Sequence, residues 1–342
     1  MITKRRGFLT AGAVIAAVAV FARPVAAEDV ADFYKGKTVT ILAAHQSGTG
    51  FDIYARALQR HLQRHIPGNP NIVVQNMPGA GGVVGANWLY NIAPKDGTAF
   101  GTFVFTAPFE PLMGSAAARY EPAKFTWIGN MEEGVAVCGV SKAAGIDTFD
   151  DMRSKEVIIG GSAPNSALVK SALAVRNLFG VKMKVVPGYK GTADLKIAIA
   201  RGEVHGICSI LMSTVTSHWR DEYQSGDFRP IIQLSGRARV GKIPHVDDFV
   251  KSEEDRQVHG LIFGVQSLGK LYAAPPGIPV ERRDALRKAL AATMKDPEFL
   301  ADSTKTKIDI SPMSGEDVEA FIARVSTASP AVIERAKQAL VP

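Results

Sequence analysis

From Lys37 onward, short β-branched runs alternate with stretches whose apolar residues recur every three or four positions, and Gly, Ser, Asn and Pro fill the connections. The runs predict strands over 38–43, 72–75, 99–105, 134–140, 157–160, 184–186, 206–210, 229–234 and 271–274. The helical period predicts helices over 51–65, 83–91, 166–179, 193–200, 280–294, 297–303 and 315–328. In the first of these, Tyr54, Leu58, Leu62 and Ile66 form one apolar stripe, Asp52 lies in the first turn and Pro67-Gly68 ends the helix. Strands alternating with helices imply an α/β fold with mostly parallel sheets. No repeat of 20 to 50 residues and no low-complexity stretch interrupts the pattern.

Length and composition narrow this picture. With 342 residues, 46% of them hydrophobic and only two Cys, the chain is neither disordered nor a disulfide scaffold, and a core of that size divides into about two lobes. The formal charge of +7 is unevenly spread: Lys4, Arg5, Arg6 and Arg23 lie in the first 27 residues, which hold no acid. Beyond them 36 basic residues face 33 acidic ones, with no basic run interleaved with aromatics, so nucleic acid is not an expected partner. Residues 1–27 have a cationic start, an apolar stretch from Ala11 to Phe21 and small residues at Val25, Ala26 and Ala27, the layout of a cleaved export signal. A retained anchor is the alternative, although the stretch is short for a bilayer span. Arg5-Arg6-Gly7-Phe8-Leu9 resembles a twin-arginine signal, and ordinary secretory signals also carry paired arginines, so the route stays open. Export would bring Cys138 and Cys208 into an oxidising compartment, where one disulfide is possible; their apolar, strand-like surroundings favour buried free thiols.

Four segments join a strand to a helix through small or hydrogen-bonding residues. They are Gln46-Ser47-Gly48-Thr49-Gly50, Pro78-Gly79-Ala80-Gly81-Gly82, Ser162-Ala163-Pro164-Asn165-Ser166 and Tyr189-Lys190-Gly191-Thr192. Singly each reads as a turn; repeated, they read as helix N-termini whose free N–H groups converge on a small anion, a carboxylate being the natural one. The run Gly79 to Gly85 imitates a dinucleotide fingerprint, but its third Gly comes one residue late and no acidic residue ends the next strand. No cofactor is therefore expected. His61 and His65 lack the Glu of H-E-x-x-H and any further ligand cluster, so no metal is expected either. No G-x-S-x-G elbow is present, and no catalytic residue stands out. His45 adjoins the first loop, and Lys190 reads as a solvated lysine before it reads as a partner for a second acidic group.

The motifs Val73-Val74-Gln75-Asn76-Met77-Pro78-Gly79-Ala80-Gly81-Gly82, Pro94-Lys95-Asp96-Gly97, Tyr189-Lys190-Gly191, Arg201-Gly202-Glu203-Val204 and Leu271-Tyr272-Ala273-Ala274-Pro275-Pro276-Gly277-Ile278-Pro279 resemble those of the Bug/TctC family of extracytoplasmic solute-binding proteins. The resemblance runs from about Phe33 to Phe321. It implies a two-lobed type II periplasmic-binding-protein fold, each lobe a mostly parallel sheet flanked by helices, with the ligand cleft between them. It also implies lobes at 28–129 with 235–342 and at 130–234, a monomer in the periplasm, and delivery of a di- or tricarboxylate or related anion to small and large integral membrane transporter subunits. By the same resemblance the ligand is held by Ser47 to Gly50, Pro78 to Gly82, Ser162 to Ser166 and Tyr189 to Thr192, with Thr106-Ala107 as a further pocket turn. Four departures stand out: Gln46-Ser47-Gly48-Thr49 replaces Pro-Ala-Gly-Gly, Val83 replaces Asn, Gly188 is inserted before Tyr189, and His205 replaces Asp. More donors in the first loop and fewer in the second suggest a ligand unlike a simple C4 dicarboxylate. The competing class is an exported, cofactor-carrying enzyme of α/β fold.

Overall fold

The structure, a computed structural model, describes residues 1–2, 29–164 and 166–342. The export signal expected over 1–27 thus lies almost wholly outside the described residues. The chain runs through α1 (Val30–Tyr34), β1 (Thr38–Ala43), α2 (Gly50–Leu62), β2 (Asn71–Asn76), α3 (Val83–Asn91), β3 (Ala99–Thr102) and β4 (Thr126–Asn130). It continues with β5 (Ala136–Ser141), α4 (Phe149–Ser154), β6 (Val157–Gly160), α5 (Ala167–Phe179), β7 (Met183–Val186), α6 (Thr192–Ala200), β8 (Gly206–Leu211), α7 (Met212–Ser217), α8 (Arg220–Ser225) and β9 (Phe228–Gln233). The last part holds α9 (Glu253–Ile262), β10 (Leu271–Ala274), α10 (Val280–Thr293), α11 (Pro297–Thr306), β11 (Met313–Ser314), α12 (Gly315–Ser326) and α13 (Pro330–Ala339). Among the described residues no helix is long and apolar enough to cross a membrane.

The strands form two sheets, ordered β11-β4-β10-β3-β1-β2 and β7-β6-β8-β5-β9. In the first, β1 is parallel to β2 and β3, and β10 lies antiparallel between β3 and β4, so β1 to β4 share one direction. In the second, β6 is parallel to β7 and β8, and β5 lies antiparallel between β8 and β9. Most strands of each sheet thus share one direction, but β10, β11 and β5 run against it, so the pairings are mixed rather than mostly parallel, and helices cover the faces. Neighbouring residues of β1 show why its run is uniformly apolar: Ile41 packs with Tyr54 and Leu58 of α2, while Leu42 packs with Ala86 and Leu89 of α3 on the opposite face. The α2 stripe is buried as its period requires, although the α-helix ends at Leu62 and a tighter 3-10 turn spans Gln63–His65.

The chain crosses between the sheets at 131–135 and again at 234–270. Hydrogen bonds zip the two crossings together. The Asn130 amide donates to the Glu132 and Ser267 carbonyls and accepts from Lys270 N–H, and the Ser235 hydroxyl donates to Gly134 O at 2.7 Å. Gly134 is required here, because a Cβ would lie 2.1 Å from Gln266 O. At the C-terminus, the Asn177 amide of α5 holds the carbonyls of Ala339 and Val341 against the second sheet.

One expectation is overturned. Cys138 of β5 and Cys208 of β8 are joined in a disulfide, with Cα atoms 3.9 Å apart, rather than remaining free thiols. Each cysteine is fully buried in an apolar run, as expected, but antiparallel pairing with a register shift brings the two runs side by side. Two further differences concern extent: β3 stops at Thr102 rather than at Phe105, and β4 was not among the expected strands.

Candidate functional site

Because β1, β2 and β3 are parallel neighbours, the segments that follow them leave from one sheet edge. The first loop is organised by Asp52, only 2% exposed, whose carboxylate accepts from Gly48 N–H (2.8 Å), the Ser47 hydroxyl (3.3 Å), Arg56 Nε (3.0 Å) and Asn76 Nδ2 (2.8 Å). Asn76 closes β2 and also donates to His45 O, so one carboxylate ties the first loop to the start of the second. Burial alone would push the Asp52 carboxyl up; the hydrogen bonds from Arg56, Gly48 and Asn76 outweigh it and hold the group down at about 2. Gln46, Ser47, Gly48 and Gly50 are exposed, and Thr49 uses its hydroxyl on Gln46 O instead of capping α2.

The second loop turns through four consecutive residues of positive φ, Gly79, Ala80, Gly81 and Gly82. Gly82 begins α3 with no side-chain cap and rests against the turn after β3, where a Cβ would stand 3.4 Å from Val104 N. At Gly81 a Cβ would meet nothing within 4 Å, so the backbone is open to a ligand. Pro78 is exposed beside it. Thr106 is half-buried, whereas Ala107 is fully buried with its N–H on Val104 O and its carbonyl on the Tyr120 hydroxyl.

The second sheet repeats the design. β6, β7 and β8 are parallel, and the loops after β6 and β7 are joined by Gly188 N–H to Ser162 O (2.9 Å) and Tyr189 N–H to Gly161 O (3.2 Å). Ser166 caps α5 with its own hydroxyl on Val169 N–H. Asn165 lies outside the described residues. Gly191 opens α6 without a side-chain cap, Thr192 follows half-buried, and Lys190 is exposed with its N–H on Asp194. Three of the four loops therefore lead into helix ends, those of α2, α3 and α6, whose first-turn donors no side chain caps. Of the other helices, α1, α4, α5, α9, α11, α12 and α13 carry such caps, whereas α7, α8 and α10 do not. Of the predicted site residues that the structure describes, Thr106 alone lines a small cavity of about 60 Å³, which it shares with Phe105, Glu110 and with Ala167, Lys170 and Ser171 of α5; the described residues of the four strand-end loops lie outside it.

Sequence reasoning missed a buried ionic cluster beneath the first loop. Lys270 Nζ lies 3.0 Å from Glu132 Oε2, both side chains are at most a tenth exposed, and the Ser213 hydroxyl of α7 donates to Glu132 Oε1. The ammonium also sits 5.0 Å from the Phe51 ring and 4.8 Å from the Tyr54 ring. His45 stacks on Phe51 with centroids 4.2 Å apart, and its Nε2 is buried with no partner among the described residues. Burial, then the Lys270 charge, lowers the pKa of His45 and keeps it neutral. Burial, then Glu132, raises that of Tyr54, whose hydroxyl bonds both N–H and O of Asp309. Lys270 had no local signal, standing alone between Gly269 and a strand.

What this arrangement offers is hydrogen-bond donors at the carboxyl edges of parallel strands in both sheets. The His61 and His65 rings reach Asp302 and Asp296, and among the described residues no group of three or more His, Cys, Asp or Glu is placed to hold a metal ion. A family model described as the tripartite tricarboxylate transporter family receptor matches residues 54–337. An Agrobacterium vitis relative, described as a UPF0065 protein in the TAR-I ttuE-ttuC' intergenic region, is 24% identical over 78% of this chain and 74% of its own length. Among solved structures, a TctC solute binding protein from Polaromonas is similar over 89% of this chain and 99% of its own, with 19% identity and a TM-score of 0.70. A Rhodopseudomonas palustris protein solved with adipate (20% identity, 89% and 97% covered, TM-score 0.57) and MatC from the same organism with bound malate (16% identity, 89% and 99% covered, TM-score 0.56) share the fold.

Proposed function

The chain belongs to the tripartite tricarboxylate transporter receptor family, and from that premise we propose that it is a periplasmic solute receptor for a small organic carboxylate. The observation that carries the reading is the set of uncapped helix ends at α2, α3 and α6, each reached through glycine at the carboxyl edge of a parallel strand. Peptide N–H groups at a helix start carry partial positive charge and leave room for two carboxylate oxygens, which a lone lysine would not position as well. Each exposed end contributes about 0.3 to 1 kcal/mol, so affinity arises when several ends close on one anion together.

In this reading Ser47 to Gly50 and Pro78 to Gly82 hold one carboxylate, with Thr106 beside them. Ser162, Ser166 and Tyr189 to Thr192 close from the other edge. The lobes are 28–129 with 235–342 and 130–234, and the crossings zipped around Asn130 and Ser267 serve as the hinge. The adipate and malate held by two structural relatives support a dicarboxylate as the first ligand to try. The receptor captures its ligand without transforming it, acts alone as a monomer and hands the anion to integral membrane subunits.

Thermal unfolding of the purified protein against mono-, di-, tri- and aromatic carboxylates tests this. A ligand at 100 times its Kd adds about 2.7 kcal/mol to stability, an upward shift of a few degrees for a chain of this size. A shift confined to one carboxylate class is the expected result. Ligand-free protein that responds to none of them would overturn the reading.

A further inference from the structure

We propose that the chain carries a second binding site, separate from the strand-end loops, for an amphipathic carboxylate: an apolar body ending in one anionic head. The site is an open cavity of about 490 Å³ lined by α9, α12, the turn over 234–239 and the turn over 245–247. That volume is of the size that holds small organic ligands, and none of the strand-end loops reaches it.

Its walls have two characters. Phe263, Met313, Phe321 and Val325 supply an apolar surface. Four arginines also line it, and three are already matched: Arg237 to Glu133, Arg239 to Asp248 and Arg256 to Glu253. Arg324 differs. Its guanidinium lies 5.3 Å from the Phe321 ring centroid, and among the described residues no carboxylate stands within ion-pair distance of it.

A second, independent observation concerns two histidines on the same walls. His245 is 6% exposed; its Nδ1 accepts from the Asp247 N–H at 3.1 Å and lies 3.3 Å from Asp247 Oδ2. The ring proton then sits on Nε2, which is buried with no hydrogen-bond partner among the described residues. His259, 5% exposed, has its Nδ1 equally without a partner, and burial lowers its pKa so that it stays neutral. A buried donor without an acceptor is unfavourable, and native proteins rarely retain one that nothing fills. A carboxylate satisfies the His245 donor and pairs with the exposed guanidinium of Arg324, while an apolar body covers Phe263 and Phe321. The occupant would touch both halves of the molecule, because α12 packs on β4 of the first sheet and Leu234 follows β9 of the second.

The test is calorimetric titration of the purified full chain with 4-phenylbutyrate and with octanoate. The decisive variant is Gly260→Leu. Gly260 lies within α9 on the cavity wall, and a Cβ there meets nothing within 4 Å, so the leucine fills the space while strengthening the helix. His245→Asn keeps an acceptor for the Asp247 N–H and removes the Nε2 donor; Arg324→Met keeps the apolar stem and removes the charge. Binding of either probe by the parent, weakened about tenfold or more in Gly260→Leu and Arg324→Met and unaffected by Gly81→Asp, is the expected outcome. His245→Asn should weaken binding with an unchanged unfolding midpoint. No binding of either probe, affinity indifferent to Gly260→Leu, or binding lost in Gly81→Asp would each overturn the proposal, the last by assigning the probe to the strand-end loops.

Discussion

At the scale of single residues, Asp52 and Gly81 carry opposite duties in neighbouring loops. Asp52 is a carboxylate committed to four protein donors, so Asp52→Asn weakens the charge-assisted bond to Arg56 and turns one accepting oxygen into an NH2 that faces a protein donor. The expected cost is about 1 to 3 kcal/mol in urea unfolding at pH 7, together with weaker ligand binding because Gly48 loses its tether. The pH dependence follows from the sign of the shift. A carboxyl held at about 2 when folded stabilises the protein fully above its ordinary value, and that contribution is lost as pH falls from about 4 through 2. Stability profiles of the parent and Asp52→Asn should therefore converge over that window; parallel profiles would refute the assignment. Gly81, by contrast, touches nothing. Gly81→Asp puts a side chain and a negative charge into open space at φ +62, a backbone region Asp tolerates better than most residues. Carboxylate binding should vanish in calorimetry while the unfolding midpoint moves by only a degree or two, the equivalent of about 1 kcal/mol or less. Gly81 was legible in the sequence because three glycines and an alanine before a helix have few other uses. The partnership of Asp52 with Asn76 was not, since Asp52 in a first helical turn already has a sufficient local explanation in the helix dipole.

At the scale of elements, the strand-loop-helix unit is the recurring part, and the sequence predicts it well because its causes are local. β-branched runs, a glycine turn and a four-residue apolar stripe act over a handful of neighbours, so β1 with α2 and β2 with α3 were placed nearly to the residue. The failures share a cause too. β4 reads Thr-Trp-Ile-Gly-Asn and becomes a strand because β10 and β11 pair with both its edges from 140 or more residues away. Phe103 to Phe105 look like strand and leave it, since the chain must turn toward the carboxyl edge to reach Thr106. The disulfide between β5 and β8 belongs to this scale. It closes a span of 70 residues, which in the chain-entropy model corresponds to about 4 kcal/mol of stability. Denatured, unreduced protein should show no free thiol, and reduction should lower the free energy of unfolding by about 2 to 4 kcal/mol. Two titratable thiols in the unreduced protein would contradict the pairing.

For the whole molecule, the crossings between the sheets decide how the two edges lie relative to each other, and the Glu132–Lys270 pair sits where the crossings meet. Removing one partner from a buried pair strands the other charge, so Lys270→Met should cost about 3 to 5 kcal/mol, whereas Glu132→Gln with Lys270→Met should recover a large part of that loss. Equal destabilisation by the single and double variants, measured by urea unfolding, would show that the pair acts through packing alone. By itself the sequence determined the α/β class, the family and the glycine-bearing or polar loops that join strands to helices, because periodicity, turn chemistry and helix polarity are properties of short segments. Only the tertiary structure decided that Cys138 meets Cys208, that Lys270 meets Glu132 across 138 positions, and that His245 and Arg324 share one cavity. Each of those pairings depends on which distant segments the sheets bring together, and a side chain's chemistry specifies the kind of partner it needs without specifying where along the chain that partner lies.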